Sequence, residues 1–419
     1  MALFTEVIVI LFILRRVLSI ILEIINISYQ RKIGPFVPAT LSQVIDKSTL
    51  EKSLSYLGLK SRFGIFRSLF YDILVFMFIF TPLLNMYNSK IIGLNINNFM
   101  EGLIYFAILS TVIQILDIPF SLYDTFFIEN KFGFNQMNIS LWVSDFIKSF
   151  LIKTLLISGA VLAVIYITGI SPIFWWVISW LFFFVLSITL MYISPFVIEP
   201  LFNKFTPLGI IELEVRIKAL FLKVGIQASR VLKVDASKRS MHSNAYFTGI
   251  GRVKRIIIFD TLLEKLSGDE ILSVLAHEAG HWKKKHIIKA IISYELFSLA
   301  LFYCCFLIFR TDILPGIFQI SESGLFVKII LALFIGSLLF FFLSPLVSYI
   351  SRRRESEADR FAVTLTGGEA FLQSSLIKLS KDNLSNLYPH PLYVFFYYSH
   401  PPLVERLKKL SIFGMELKK

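Results

Sequence analysis

The chain is a succession of apolar runs joined by polar connections of unequal size. Runs of roughly 20 residues, the length that a bilayer core requires, occupy positions 2–27, 69–87, 100–119, 150–170, 173–198, 287–309 and 325–350. They predict an all-α polytopic membrane protein with seven transmembrane helices. The one sizeable polar insertion, 199–286, carries a different pattern. Leu213, Ile217, Leu220 and Val224 recur on one helix face with charged residues between them. Short β-like runs follow at 231–234, 244–248 and 255–259, separated by turns bearing Gly and Ser. Ser267-Gly268-Asp269-Glu270 has the form of a capping box and opens a helix through Ile271, Val274 and Leu275 into His277. Trp282 and Lys283 to Lys285 sit where an interfacial belt belongs, at the entrance to the sixth run. The expected organisation is five membrane helices in 1–198, a small cytoplasmic α+β cap in 199–286, two more membrane helices in 287–350 and a cytoplasmic segment over 351–419.

Composition supports the membrane reading and removes others. With 56% hydrophobic residues, 43 Phe, 17% charged residues and a mean hydropathy of +0.71, the 419 residues do not read as two or three soluble domains. The net charge of +13 does not indicate nucleic-acid binding, because the basic residues lie between the apolar runs and no nucleic-acid motif accompanies them. Connection 28–66 holds Arg31, Lys32, Lys47, Lys52, Lys60 and Arg62, whereas 88–98 holds only Lys90, and basic and basic-poor connections go on alternating. The positive-inside rule then puts the N terminus outside and the C terminus in the cytoplasm. Arg15 and Arg16 interrupt the first run, which lacks the layout of a cleaved signal peptide. They either face the protein interior or snorkel from a tilted helix. Cys304 and Cys305 are adjacent in an apolar run, which suits neither a structural disulfide nor a zinc knuckle.

The candidate chemistry lies in His277-Glu278-Ala279-Gly280-His281. Two histidines four apart project from one helix face and can grip one tetrahedral metal, with Glu278 beside the open position as the base that takes a proton from water. This is the HExxH arrangement of zinc proteases. Lys284 and Ile287 stand where a metzincin needs Gly and His, so that class is excluded. His286 lies nine residues past His277, nearly opposite on a continuous helix, and reads as interfacial. The third ligand is sought in Ser351 to Asp359. There Glu355 and Asp359 share a helix face, so that Glu355 can bind metal while Asp359 orients a ligating histidine or donates a proton. Glu357 points away as a solvated position. Spacing alone does not separate this assignment from a plain charged helix start.

These residues resemble the type I CAAX prenyl protease family, integral-membrane zinc metallopeptidases of the gluzincin class. The resemblance runs through Ile128 to Asn135, Pro200 to Phe205, Lys238 to Phe247, Arg255 to Leu263, His277 to Trp282, Arg352 to Asp359, and Ser399-His400-Pro401-Pro402 with Glu405-Arg406-Leu407. It implies helices enclosing a water-filled chamber with one Zn2+ per chain inside. His277, His281 and Glu355 would be its ligands, Glu278 the general base and Asp359 an acid behind the ligands. Asn244, Ala245 and Tyr246 would lie on an edge strand that pairs with an extended peptide. His400 and Arg406 would stabilise the oxyanion or grip a substrate carboxylate; read by themselves, they are equally a turn residue and a solvated helix residue. The implied substrate is a peptide or protein ending in a prenylated CAAX motif, in the endoplasmic reticulum of a eukaryote. In a bacterial inner membrane, turnover of membrane proteins would replace that role. Two other classes fit the chain less well. A heat-shock-type membrane metalloprotease has a shorter chain with fewer spans, and a zinc-bearing transporter has internal repeats, of which none is seen.

Overall fold

The computed structural model describes residues 2–33, 41, 44–248 and 253–418. The helices used below are α1 (Ala2–Ile33), α2 (Lys47–Phe80), α3 (Leu83–Ile92), α4 (Asn98–Tyr123), α5 (Ile139–Ile170) and α6 (Trp175–Ile193), then α7 (Ile211–Lys223) and α8 (Gly268–Lys283) in the insertion, α9 (His286–Phe309) and α10 (Leu325–Thr366), and α11 (Ala370–Asp382) with α12 (Leu403–Leu417) in the C-terminal segment. Among the described residues six helices are long and apolar enough to cross a membrane: α2, α4 with its continuation to Phe132, α5, α6, α9 and α10. The expected seventh, α1, is 32 residues long but carries Glu6, Arg15, Arg16 and Glu23, so composition alone does not qualify it. Both arginines turn toward α2. Arg15 Nη2 donates to Asp72 Oδ1 at 2.7 Å and Arg16 Nε donates to the other oxygen of that carboxylate. They therefore pair within the protein rather than snorkel, since an unpaired carboxylate among apolar helices costs several kcal/mol, on the order of 3–5 by analogy with broken buried pairs. The apolar run expected to end at position 87 is two helices, because Thr81 is extended and Pro82 opens α3.

The long helices pack in a closed circuit. α1 lies on α2, α2 on α3, α3 on α4, α4 on α5, α5 on α6, α6 on α9, α9 on α10 and α10 back on α1. Little of each apolar stretch is covered, from 0% in α9 to 28% in α10, so the wall is one helix thick. Tyr105, Phe106, Ile165 and Phe326 draw one end together. The Tyr87 hydroxyl there donates to the Tyr105 carbonyl at 2.6 Å.

The cap is a four-stranded sheet of order β1-β2-β4-β3, from β1 (Phe205–Pro207), β2 (Gln227–Val234), β3 (Ala245–Thr248) and β4 (Val253–Phe259). β2 and β4 run parallel, and the other two pairings are antiparallel. β1 was not expected; three residues ending in a proline carry no alternation to read. Ile217 and Phe221 of α7, Ile256 and Ile258 of β4 and Leu275 of α8 bury one face in a single core, which Ala362, Leu372 and Leu410 complete from the C-terminal segment. The two polar segments thus share one hydrophobic interior. The capping box forms as read, with Ser267 N–H donating to Glu270 Oε2 at 2.7 Å.

Cap and ring are fastened at a π turn, Asp124–Glu129, that follows α4. A π turn advances the backbone by an extra residue, and here it brings Glu129 to Tyr56 Oη at 2.8 Å and Lys60 Nζ at 2.9 Å on α2. His242 of the cap completes the cluster, with Nε2 3.4 Å from Glu129 Oε2, Nδ1 3.0 Å from Asn383 Oδ1 and its ring stacked on Phe134. The Glu129 carboxylate, against the opposing effect of burial, holds the His242 imidazole above its usual range. A histidine whose folded pKa is raised contributes stability that is complete below its unfolded value, about 6.5, and is lost as pH rises through the folded value. Thermal melts in detergent are therefore expected to separate wild type from His242→Gln most at about pH 6, with the gap closing as pH rises. A gap that widens with pH would contradict this fastening.

Candidate metal centre

Helices α8 and α10 cross at Gly280. A Cβ on that residue would lie 3.0 Å from Ala358 Cα and 3.1 Å from the Ala358 carbonyl oxygen, so the backbones meet with no room for a side chain. Ala276 and Ala279 on α8 and Ala358 and Ala362 on α10 are fully buried around the crossing. The small residues let His277 and His281 face Glu355 and Asp359 one turn away across the contact.

His277 Nε2 and His281 Nε2 are 3.2 Å apart, His277 Nε2 is 3.3 Å from Glu355 Oε2, and His281 Nε2 is 3.2 Å from Glu355 Oε1. Among the described residues these three side chains form a group able to hold a metal. The fit is quantitative, since ligand atoms about 2.0–2.1 Å from a tetrahedral ion stand about 3.3–3.4 Å from one another. Glu355 Oε2 is moreover a buried carboxylate oxygen without an aligned hydrogen-bond donor, as expected of an atom whose lone pairs serve a cation. Glu357, read as a solvated position, is not in this group.

Behind the ligands, His277 Nδ1 lies 2.8 Å from Asp359 Oδ1, a short contact that falls outside hydrogen-bond alignment. Arg406 of α12 grips Asp359 with both prongs, Nε at 2.9 Å and Nη2 at 2.5 Å. The Arg406 fork, expected to face substrate, is thus turned to the carboxylate beside His277 Nδ1, and Asp359, expected as an acid, is paired with a guanidinium. His400 reaches the cluster from the other side, with Nδ1 2.8 Å from Glu355 Oε2 and its side chain 63% exposed. Glu278 is half-buried beside the histidines and is no part of the ligand group. Burial pushes its carboxyl up, against the pull of His277 and His281.

Asn244, Ala245 and Tyr246 fall where the sheet presents an edge, since β3 pairs only with β4 among the described residues, and α8 packs against it. The Asn244 carbonyl is taken by the Phe259 N–H at 3.1 Å. The Tyr246 side chain turns to the opposite sheet face, where its hydroxyl donates to Glu199 Oε2 at 2.5 Å, so only its backbone is available along the edge. Trp282 and His286 do not lie where the periodicity put them. Trp282 packs against the cap core rather than lying in a belt. His286 is buried rather than interfacial, because the chain leaves α8, passes through left-handed Lys285 (φ 56°, ψ 34°) and restarts as α9, so positions counted along one helix do not apply.

Residues 26–204 match the family described as CAAX prenyl protease N-terminal, five membrane helices, and residues 211–412 match peptidase family M48. The chain belongs to peptidase family M48. It is 36% identical to CAAX prenyl protease 1 of Saccharomyces cerevisiae over 91% of this chain and 90% of that one. It is 34% identical to the Homo sapiens CAAX prenyl protease 1 homolog over 90% and 88%. The crystal structure of S. mikatae Ste24p superposes with a TM-score of 0.89 at 33% identity, covering 97% of this chain and 98% of that one. The protein is accordingly a membrane-embedded metalloendopeptidase.

The Gly280 contact yields a prediction of sign. In a helix interior Gly→Ala is worth about 1 kcal/mol of stability by propensity alone, but overpacking costs about 1–3 kcal/mol. Backbone at 3.0 Å cannot yield as a side-chain tip would, so Gly280→Ala is expected to melt lower than wild type and to hold metal at least about tenfold more weakly. A variant that melts higher and binds metal equally well would contradict the crossing as described.

Proposed function

We propose that this protein is a zinc endopeptidase that cuts the C-terminal CAAX segment of prenylated proteins within the membrane. The observation that carries the reading is the convergence of His277, His281 and Glu355 at tetrahedral spacings with Glu278 beside them; the names of the relatives supply the substrate class. The donor set of two imidazoles and one carboxylate, with room for water, is a catalytic zinc set.

Zinc, when bound, supplies a water of lowered pKa and polarises the scissile carbonyl. Glu278 takes the proton of the attacking water and returns it to the leaving amine. Its burial favours this exchange, since a carboxyl raised toward neutrality both accepts and releases the proton. Asp359 and Arg406 keep the His277 ring aimed at the ion. The free edge of β3, with Asn244 and Ala245, holds the peptide extended by backbone pairing. His400, exposed at the mouth, donates to the developing oxyanion or to a substrate carboxylate. We read α1 as a seventh span beside the six apolar ones, and the circuit of helices supports a water-filled chamber between them that takes the lipid. The charge pattern supports an outside N terminus and a cytoplasmic zinc site, and the eukaryotic relatives favour the endoplasmic reticulum as host membrane.

The test compares a farnesylated CAAX peptide with its unprenylated twin, using wild type and zinc-loaded Glu278→Gln. Wild type is expected to release the C-terminal tripeptide from the farnesylated peptide, and the variant to lose about 10²–10⁴-fold in kcat while keeping its zinc. Equal cleavage of the two peptides would overturn the prenyl specificity. Retained activity in Glu278→Gln would overturn the mechanism.

A further inference from the structure

His281 is braced from behind by two side chains that the catalytic scheme does not use. Its Nδ1 lies 3.1 Å from His286 Nδ1, and His286 Nε2 lies 3.1 Å from Glu357 Oε2. The two rings stand at 76° to each other with centroids 5.1 Å apart, so the contact is edge to edge through nitrogen rather than a stack. The His286 side chain is 4% exposed and that of Glu357 42%.

Two ring nitrogens at this distance form a hydrogen bond only if one carries a proton and the other a lone pair. His281 turns its Nε2 to the metal group, so its proton belongs on Nδ1, and it must donate. His286 then accepts at Nδ1, carries its own proton on Nε2 and donates that to Glu357. Each member fixes the tautomer of the one before it. The left-handed backbone of Lys285 makes the arrangement possible by turning the first residue of α9 back under α8.

We infer that His286 is a positioning residue for the ligand His281, with Glu357 fixing its tautomer. The centre thus has two supporting arms, Asp359 with Arg406 behind His277 and His286 with Glu357 behind His281. The first ends in a buried ion pair and the second in a partly solvated carboxylate, so His286 matters more than Glu357 to the second. The inference rests on the zinc-site reading above.

The test measures zinc affinity of the purified full chain by competition with a chromophoric chelator, with Glu355→Ala as the ligand-loss control. His286→Phe keeps ring volume but offers no acceptor, and is expected to weaken zinc binding about 10–100-fold. His286→Asn keeps an acceptor near the Nδ1 position and is expected to restore binding to within a few fold of wild type. A phenylalanine variant that binds as wild type does, or an asparagine variant as weak as the phenylalanine one, overturns the inference. If His286→Phe does not fold, Glu357→Ala against Glu357→Gln decides, with alanine weaker and glutamine close to wild type; equal affinities overturn it. A wild type that binds no zinc fails the metal-site reading instead, and is distinguished by showing no difference from Glu355→Ala.

Discussion

The catalytic architecture depends on one backbone contact, the crossing of α8 and α10 at Gly280 and Ala358. Neither helix alone holds three ligands. Each supplies a pair of side chains one turn apart, and only an approach close enough to exclude a Cβ brings the pairs within metal-ligand spacing. The alanines around the contact belong to the core that also buries Ile217, Ile256 and Leu275. The packing that buries the cap core is therefore the same packing that brings two imidazoles and a carboxylate to metal-ligand spacing.

The membrane ring reaches into the site through one of its own helices. α10 has 42 residues, which at about 1.5 Å per residue is about 63 Å, roughly twice the hydrocarbon thickness. The same continuous rod that closes the ring thus delivers Glu355 and Asp359 to the cap. It also positions His400, since Arg352 donates to the carbonyls of Val394 and Tyr398, each at 2.8 Å, and ties down the segment that leads into it. The π turn at Asp124–Glu129 provides another attachment, through His242 and Glu129. Cap and membrane wall are also joined by the α8–α9 junction and by Arg239 of the cap, whose Nε donates to Asp145 of α5 at 2.7 Å.

Much of this was legible from residue patterns. Hydrophobic runs located the long helices, the spacing of Leu213, Ile217 and Leu220 located α7, and Ser267 with Glu270 located the start of the helix that carries the ligands. What stayed hidden depended on where chains cross or turn. His286 looked interfacial because a left-handed residue between two helices leaves no trace in periodicity. Arg406 looked free to meet substrate because its partner, Asp359, lies 47 positions away. The break at Thr81 lay inside an apolar run, where Pro82 was the only signal, and Gly280 resembled any other variable position of its motif until the distance to Ala358 gave it a function.

The central claim is that His277, His281 and Glu355 are the metal ligands and Glu278 is not. Metal stoichiometry of the purified full chain by elemental mass spectrometry tests it most directly. Wild type and Glu278→Gln should each carry about one zinc per chain, and Glu355→Ala should carry far less, because the loss of one of three protein ligands removes the basis of tight binding. Full zinc in Glu355→Ala, or its loss in Glu278→Gln, would contradict the account.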